Sequence, residues 1–230
     1  MKKYELKRGT FIFSLDTELA WGTRSRPSLM NDYKKTRQVI DRLLELMVKY
    51  QISATWAVVG HLFLDRCTIE NGLKHPEIIR PNYSDIGGDW FDIDPSSDMQ
   101  KNPVWYGADI IKKIQNCSVA QEIGCHTFSH VIAGKDGCSL ECFRSELNAC
   151  ELAAAKYDIK LTSFVYPRNL PAYESELAAN GYKVYRGPND TWYQKLPKYL
   201  RILAHGLDNY FNPRSPAVSA QWTKDNLLMI

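Results

Sequence analysis

The sequence lacks the long apolar stretches that cross a membrane. A bilayer span needs about 20 consecutive apolar residues, and the apolar run nearest the amino terminus, residues 10–15, ends at Asp16. Basic residues precede this run, as in a signal peptide, but the run is shorter than the roughly 7 to 15 apolar residues that secretion requires. We therefore expect a cytoplasmic protein with no membrane span.

The chain also has little net charge and lacks several motifs that mark common protein classes. Its 29 lysines and arginines against 26 aspartates and glutamates give a net charge of +3 over 230 residues, whereas nucleic-acid-binding proteins usually present a strongly basic surface. We expect no nucleic-acid partner. The sequence has no Walker loop, no Gly-x-Gly-x-x-Gly motif and no Gly-x-Ser-x-Gly motif. It has no repeat, low-complexity tract or linker, which predicts a single domain over residues 1–230.

Short apolar runs alternate with helical patterns along the chain. Residues 10–15 and 54–59 are typical of buried strands. Between them, residues 31–50 carry apolar side chains at spacings of three and four, which predicts an amphipathic helix. This order of elements predicts a parallel α/β sheet or barrel. The later predicted elements are helices at 106–116, 139–157 (with Ser139 as N-cap) and 173–180, and strands at 122–124, 162–166 and 182–185.

The segment 75–105 interrupts this alternation and is interpreted as an insertion loop. It contains four prolines, a glycine pair and five aspartates, with no sustained periodicity. Loops longer than about 12 to 15 residues in compact domains are usually functional or disordered. Its aromatic residues favour a packed insertion on the substrate side, and a solvated loop without a role is the alternative.

Charged side chains follow the first and fourth predicted strands. Asp16 and Glu18 lie two residues apart, and in an extended chain such residues point to the same side with Cα atoms about 6.6 Å apart. Both carboxylates can therefore enter one site, unless they belong to a solvated loop. Arg168 follows the fourth strand, where an arginine can orient a carboxylate or stabilise developing negative charge, or simply face solvent.

Two histidines, His126 and His130, follow the third predicted strand. On a helical turn, residues four apart share a face, so both imidazoles could reach one metal ion. The spacing also arises by chance, and the strand-end carboxylates strengthen the metal interpretation. A rival set adds Cys138 and Cys142 in the paired spacing of structural zinc sites. Otherwise all six cysteines are expected to be reduced thiols, because the chain is neither short nor visibly exported.

Four segments taken in order, 16–18, 54–60, 126–130 and 166–169, resemble the polysaccharide deacetylases with the NodB homology domain. The resemblance covers roughly residues 9–186. It implies a distorted (β/α) barrel with its site at the carboxyl ends of the strands. It also implies a metal-dependent hydrolase, most simply a zinc enzyme, that removes acetyl groups from N- or O-acetylated sugars or oligosaccharides.

The resemblance also implies roles for individual residues. Asp16 would be the base, and Glu18 would bind the metal together with His126 and His130. The family usually has two adjacent aspartates in its first motif, whereas here Thr17 separates the two acids, as in a divergent Asp-x-Glu branch; the roles within the pair stay open. Arg168 matches the arginine of the third motif as a catalytic residue.

The family's late histidine is a general acid, and its candidates here are His205 or a residue beyond position 230, because His61 and His75 precede the histidine pair. The apolar spacing around His205 predicts a helix rather than a strand, and only 37 residues separate it from Arg168. The chain is therefore expected to end, at residues 227–230, before its last strands. An open barrel has unpaired strand edges, which proteins usually cover, so the chain is expected to be either a homodimer with the edge covered or marginally stable.

The sequence thus predicts a cytoplasmic deacetylase of a sugar intermediate in surface polysaccharide or lipopolysaccharide biosynthesis. Two alternatives remain. One is a non-catalytic carbohydrate-binding or assembly protein on the same fold, because a convincing late histidine is missing. The other is a metal-dependent amidohydrolase that acts on small molecules.

Overall fold

The computed structural model describes residues 2–3, 9–23, 30–188, 196–197, 199–201, 204, 206 and 219–230. Within these residues the molecule is an α/β fold in which strands and helices alternate, as the sequence predicts. The strands are β1 (Lys2–Lys3), β2 (Ser14–Thr17), β3 (Thr55–Val58), β4 (Ile69–Glu70), β5 (Leu73–Lys74), β6 (Glu122–Cys125), β7 (Ser163–Val165), β8 (Val184–Arg186), β9 (Gln221–Trp222) and β10 (Leu228–Met229). The α-helices are α1 (Met30–Tyr50), α2 (Ala108–Gln115), α3 (Leu140–Ala155) and α4 (Glu174–Ala179).

The main sheet has the strand order β1-β9-β10-β8-β7-β6-β3-β2. From β10 to β2 all neighbouring strands are parallel, and only β1 and β9 add antiparallel pairs. Each parallel strand lies beside the parallel strand that precedes it along the chain, which is the order found in (β/α) barrels. A separate hairpin pairs β4 with β5.

The sheet curls as a distorted barrel does. Three strands separate β8 from β2 in the sheet, yet the Arg186 guanidinium of β8 reaches the Asp16 carboxylate of β2 through two hydrogen bonds of 2.7 and 2.9 Å. Within the described ranges, no backbone ladder closes the circle between these two strands. Side chains therefore bridge the gap in the barrel. A homodimer that covers an open edge stays a prediction.

Helix boundaries follow the predicted ones closely. Helix α1 begins one residue before the predicted start, and Ser139 caps α3 by accepting a hydrogen bond of 3.1 Å from the backbone N–H of Cys142. Strand β2 differs more, since it starts at Ser14 and continues through Asp16 to Thr17. Backbone pairing with β3 extends to Thr17, and in this part of β2 the Asp16 carboxylate binds Arg186.

The carboxyl-terminal residues add to the sheet. Leu228–Met229 forms β10, parallel to β8, and the expectation that the last strands are missing stays a prediction. The loop 75–105 contains no helix or strand after β5, and its large aromatic side chains are buried. These are Tyr83, Trp90, Phe91 and Trp105. The loop is thus packed into the core rather than extended into solvent.

Candidate metal centre

The candidate site lies where the parallel strands end. Five residues lie level across the sheet, and they are Thr17, Val58, Cys125, Phe164 and Tyr185. One residue further along their strands come Glu18, His126 and Arg186. Because neighbouring residues at one level of a parallel sheet point to the same face, these side chains enter a common space at the carboxyl edge.

The loop from His126 to His130 brings the two histidines together. The helical turn that we expected from their spacing is wrong, because the segment is a loop in which Thr127 and His130 adopt left-handed backbone conformations (φ 58° and 61°). Such conformations are uncommon for residues other than glycine and cluster at functional sites. Backbone hydrogen bonds from Gly60 and His61 to the carbonyls of Thr127 and Phe128, both 2.8 Å, hold the loop.

Glu18, His126 and His130 form one cluster. The Nε2 atom of His130 lies 2.7 Å from Glu18 Oε2, and the Nε2 atom of His126 lies 3.5 Å from the same oxygen. One ligand atom from each residue lies within 4.8 Å of the other two. Both imidazoles are buried, whereas the Glu18 side chain is 32% exposed. Two imidazoles and one carboxylate with an accessible side are typical of a catalytic metal site.

The hydrogen-bond partners of His126 test whether this donor set fits a cation. Its Nδ1 atom lies 2.8 Å from the carbonyl oxygen of Val165, so Nδ1 carries the hydrogen in the neutral ring. The Nε2 lone pair is then directed towards the Glu18 carboxylate. Metal-binding histidines are commonly oriented by such a bond from the other ring nitrogen, so the residues fit a divalent cation.

The protonation states agree with this interpretation. Burial raises the pKa of Glu18, but hydrogen bonds and charge interactions with His126 and His130 outweigh burial and hold this pKa well below its usual range. Burial lowers the pKa of His130, and the contacts with Glu18 offset that effect only in part. An ionised carboxylate beside a neutral imidazole is the state in which these groups bind metal ions.

Gly22 makes room for the Glu18 carboxylate. Both residues lie in or beside the 3-10 helix Leu19–Thr23, and they are four positions apart. A Cβ atom at position 22 would overlap the carboxylate of Glu18. A glycine at this position therefore allows Glu18 to point at the histidines.

Asp16 lies near this cluster but has a different partner. Its two carboxylate oxygens accept hydrogen bonds from Arg186, and the Nη2 atom of Arg186 also contacts Asn169 Oδ1 at 3.1 Å. Asp16 is not among the residues whose ligand atoms converge with those of Glu18. The two acids of the motif thus differ in surroundings, with one directed at the histidines and the other held by an arginine.

Sequence reasoning missed Arg186, although a signal was present. The residue comes directly after the predicted strand 182–185. It lies one residue beyond Tyr185, as Glu18 and His126 lie one residue beyond Thr17 and Cys125, which are level with Tyr185 in the sheet. A charged residue at that position in a parallel sheet points towards the shared carboxyl edge.

This chain is similar to several solved structures. A presumed polysaccharide deacetylase from Mycobacterium smegmatis aligns with a TM-score of 0.52 and 13% sequence identity, over 81% of this chain and 54% of that chain. The chain has a polysaccharide deacetylase-type fold. It spans about half the length of the mycobacterial protein. IcaB from Ammonifex degensii aligns with a TM-score of 0.43 and 10% identity, over 76% of this chain and 83% of that one.

No protein-family model and no curated protein matches the sequence. The fold assignment therefore depends on the three-dimensional comparison with the mycobacterial structure. Among the described helices, none has the length and apolar character needed to cross a membrane.

The other predicted site residues of this deacetylase-type fold lie in different places. Arg168 is exposed and has a left-handed backbone, and its Nη2 atom lies 3.4 Å from the carbonyl oxygen of Gly22. Arg168 thus contacts the 3-10 helix that follows Glu18, and not the ligand atoms of Glu18, His126 and His130. His205 lies outside the described residues. The rival cysteine set is not assembled, because Cys138 and Cys142 are packed in the hydrophobic core, and all six cysteines are free thiols.

Behind the histidine loop, Glu146 of α3 supports Ser129. One Glu146 oxygen accepts a hydrogen bond of 2.8 Å from the Ser129 N–H, and the other accepts one of 2.5 Å from the Ser129 hydroxyl. The Ser129 hydroxyl oxygen also accepts a hydrogen bond of 2.7 Å from the indole of Trp90. Burial raises the pKa of Glu146 from 4.5 to about 7, because the charged form loses solvation.

Glu146→Gln is expected to remove a pH-dependent loss of stability. Since the folded-state pKa is raised, the wild type loses stability as pH rises from 4.5 to 7, by about 3 kcal/mol in the free energy of unfolding. Glutamine can make both contacts to Ser129 without a charge. Denaturant unfolding of both proteins across pH 4.5 to 8, at equal metal content, should show curves that diverge with rising pH. Parallel curves would contradict the assignment.

Proposed function

We propose that this chain is a metal-dependent hydrolase that removes acetyl groups from an N- or O-acetylated sugar. The observation that carries the proposal is the convergence of Glu18, His126 and His130 at the carboxyl edge of the sheet. This edge is where barrel enzymes place their chemistry. The similarity to a presumed polysaccharide deacetylase supports the choice of substrate class.

In this proposal each residue has a distinct task. Glu18, His126 and His130 would hold a divalent cation, most simply zinc. When bound, such an ion polarises a carbonyl group and makes water more acidic. Asp16 accepts a proton from the attacking water at its carboxylate, and Arg186 fixes the orientation of that carboxylate through two hydrogen bonds.

None of the four described histidines is free to donate a proton to the leaving group. His61 and His75 both contact Asp94, at 3.2 and 3.0 Å, and so are engaged away from the site. His126 and His130 are assigned to the metal. Asp16, once protonated, is thus positioned to return its proton to the departing amine or alcohol, which would let the reaction proceed without a late histidine.

A substrate screen tests the proposal. The wild-type chain, loaded with zinc or cobalt, is incubated with N-acetylglucosamine oligomers, an O-acetylated oligosaccharide and small cyclic amides, and released acetate and ring opening are measured. Acetylated intermediates of surface polysaccharide or lipopolysaccharide assembly form a second panel. We expect acetate release that stops with a chelator and returns with metal.

Three outcomes would overturn the proposal. Ring opening of cyclic amides without acetate release would indicate an amidohydrolase of small molecules. Binding of the oligosaccharides without turnover, measured by calorimetry on the metal-loaded chain, would indicate a carbohydrate-binding protein. Acetate release that is unaffected by the chelator would exclude a role for a metal ion in the reaction.

A further inference from the structure

A second group of metal-ligating side chains lies outside the candidate centre. His61 lies three residues after the end of β3, Cys67 lies six residues later, and His75 and Asp94 belong to the segment 75–105. One ligand atom from each of the four lies within 4.8 Å of the other three. His61 and Asp94 are 0% and 1% exposed. We propose that these four residues bind one zinc ion as a closed structural site.

The contacts converge on one carboxylate oxygen. Asp94 Oδ2 lies 3.2 Å from His61 Nε2, 3.0 Å from His75 Nε2 and 3.1 Å from Cys67 Sγ. The corners of a zinc tetrahedron with bonds of about 2.0 to 2.3 Å are about 3.3 to 3.8 Å apart. The three contacts of Asp94 Oδ2 therefore need to lengthen by only a few tenths of an ångström to match these edges, and the remaining ligand atoms lie within 4.8 Å of one another.

The ring of His61 is oriented as a ligand. Its Nδ1 atom lies 3.0 Å from the carbonyl oxygen of Trp105, so the neutral ring carries its hydrogen on Nδ1. The Nε2 lone pair then faces the Asp94 carboxylate, and two acceptors meet without a hydrogen between them. A cation between them would bind both lone pairs, and the Trp105 carbonyl is the usual kind of second partner for a ligating histidine.

The donor set selects the metal and the type of site. Two imidazoles, a thiol and a carboxylate are the ligands of zinc, whereas magnesium and calcium prefer oxygen alone. Four protein ligands leave no open position, which is typical of structural rather than catalytic zinc. Aromatic rings enclose the cluster: the His75 ring lies 4.8 Å from that of Phe91 and 5.3 Å from that of Phe128.

The position of the cluster indicates what the ion would stabilise. It would join the chain after β3 to a long segment that contains no helix or strand after β5. It also lies behind the candidate centre, since the His61 ring packs 4.5 Å from Trp21, which follows Glu18, and 5.7 Å from Phe128, which lies between the paired histidines. The site would thus hold the insertion and support the loops that carry the other ligands.

Metal analysis of the purified full chain tests this inference. We expect about two zinc ions per chain in the wild type and about one in Cys67→Ser and in Asp94→Asn. Cys117→Ser is the matched control, because Cys117 is also a half-buried free thiol but lies outside both clusters, and it should keep both ions. His126→Ala should lose the other ion only, so the failure of one site is distinguishable from the failure of the other.

Cobalt substitution of the wild type gives a second readout, which does not depend on whether the Cys67 and Asp94 variants fold. The cobalt-loaded wild type should show a thiolate-to-cobalt charge-transfer band in the near ultraviolet, and alkylation of Cys67, followed by mass spectrometry, should become faster when a chelator is added. The band should persist in His126→Ala and Cys117→Ser. A wild type without the band, or Cys67→Ser and Asp94→Asn variants with an unchanged zinc content, would overturn the inference.

Discussion

Asp16→Asn is expected to lower the rate of acetate release by about 10²- to 10⁴-fold, the usual effect of removing a general base, while the zinc content stays unchanged. Asparagine keeps the size of the side chain but cannot take up a proton from water. Asp16 also lies outside the cluster formed by Glu18, His126 and His130, so metal binding should not depend on it. Acetate release under saturating metal and elemental analysis of the same sample provide the two measurements.

The control for this experiment is Asp41→Asn. Asp41 is a half-exposed carboxylate that pairs with Lys113 on the helical surface, and its replacement should alter neither rate nor metal. If Asp16→Asn loses the ion while Glu18→Gln keeps it, the roles of base and ligand are exchanged. Full activity of Asp16→Asn would remove Asp16 from the mechanism.

His126→Ala is expected to weaken metal binding at the candidate centre by more than about 100-fold and to reduce acetate release to background. Changes to groups that merely orient a ligand typically cost 10- to 100-fold in metal affinity, and this variant removes a ligand itself. His126 is buried and held by Val165, so no neighbouring side chain can replace it without moving the loop. Elemental analysis and metal titration followed by activity give the measurements.

Cys138→Ser serves as its control, because Cys138 lies near the histidines in sequence but in the hydrophobic core of the fold. This variant should retain its metal. A His126→Ala protein that keeps the ion, or a Cys138→Ser protein that loses it, would reject the ligand set of Glu18, His126 and His130.

The sequence predicts the elements of the sheet well because their periodicity is local. Buried strands and the helix α1 are encoded by the spacing of apolar residues within each segment. The meeting of Glu18 with the histidines follows from strand ends sharing an edge. The backbone conformation of the histidine loop cannot be predicted in this way, because a β-branched residue such as Thr127 rarely has a positive φ. The folded structure shows that Thr127 has one here.

The second cluster could not be predicted for a different reason. His61, Cys67, His75 and Asp94 lie at unequal intervals through a segment without periodicity, so no short motif connects them. Their convergence depends on how the loop packs beneath its own aromatic residues. Arg186 is intermediate between the two cases. Its position at the end of a strand could be predicted from the sequence, but its contact with Asp16 could not, because that contact depends on the curvature of the sheet.

Because Gly22 has no side chain, the residue type at position 22 is tied to the residue type at position 18 in homologous chains. Because a Cβ atom there would overlap the Glu18 carboxylate, a larger residue at 22 would force that carboxylate away from its place beside the histidines, so we expect the two positions to covary. An aspartate at position 18, shorter by one methylene group, would withdraw its carboxylate from position 22 and allow alanine there. Homologous chains should therefore show glycine at 22 wherever 18 is glutamate, a covariation that an alignment containing the glutamate–alanine combination would disprove.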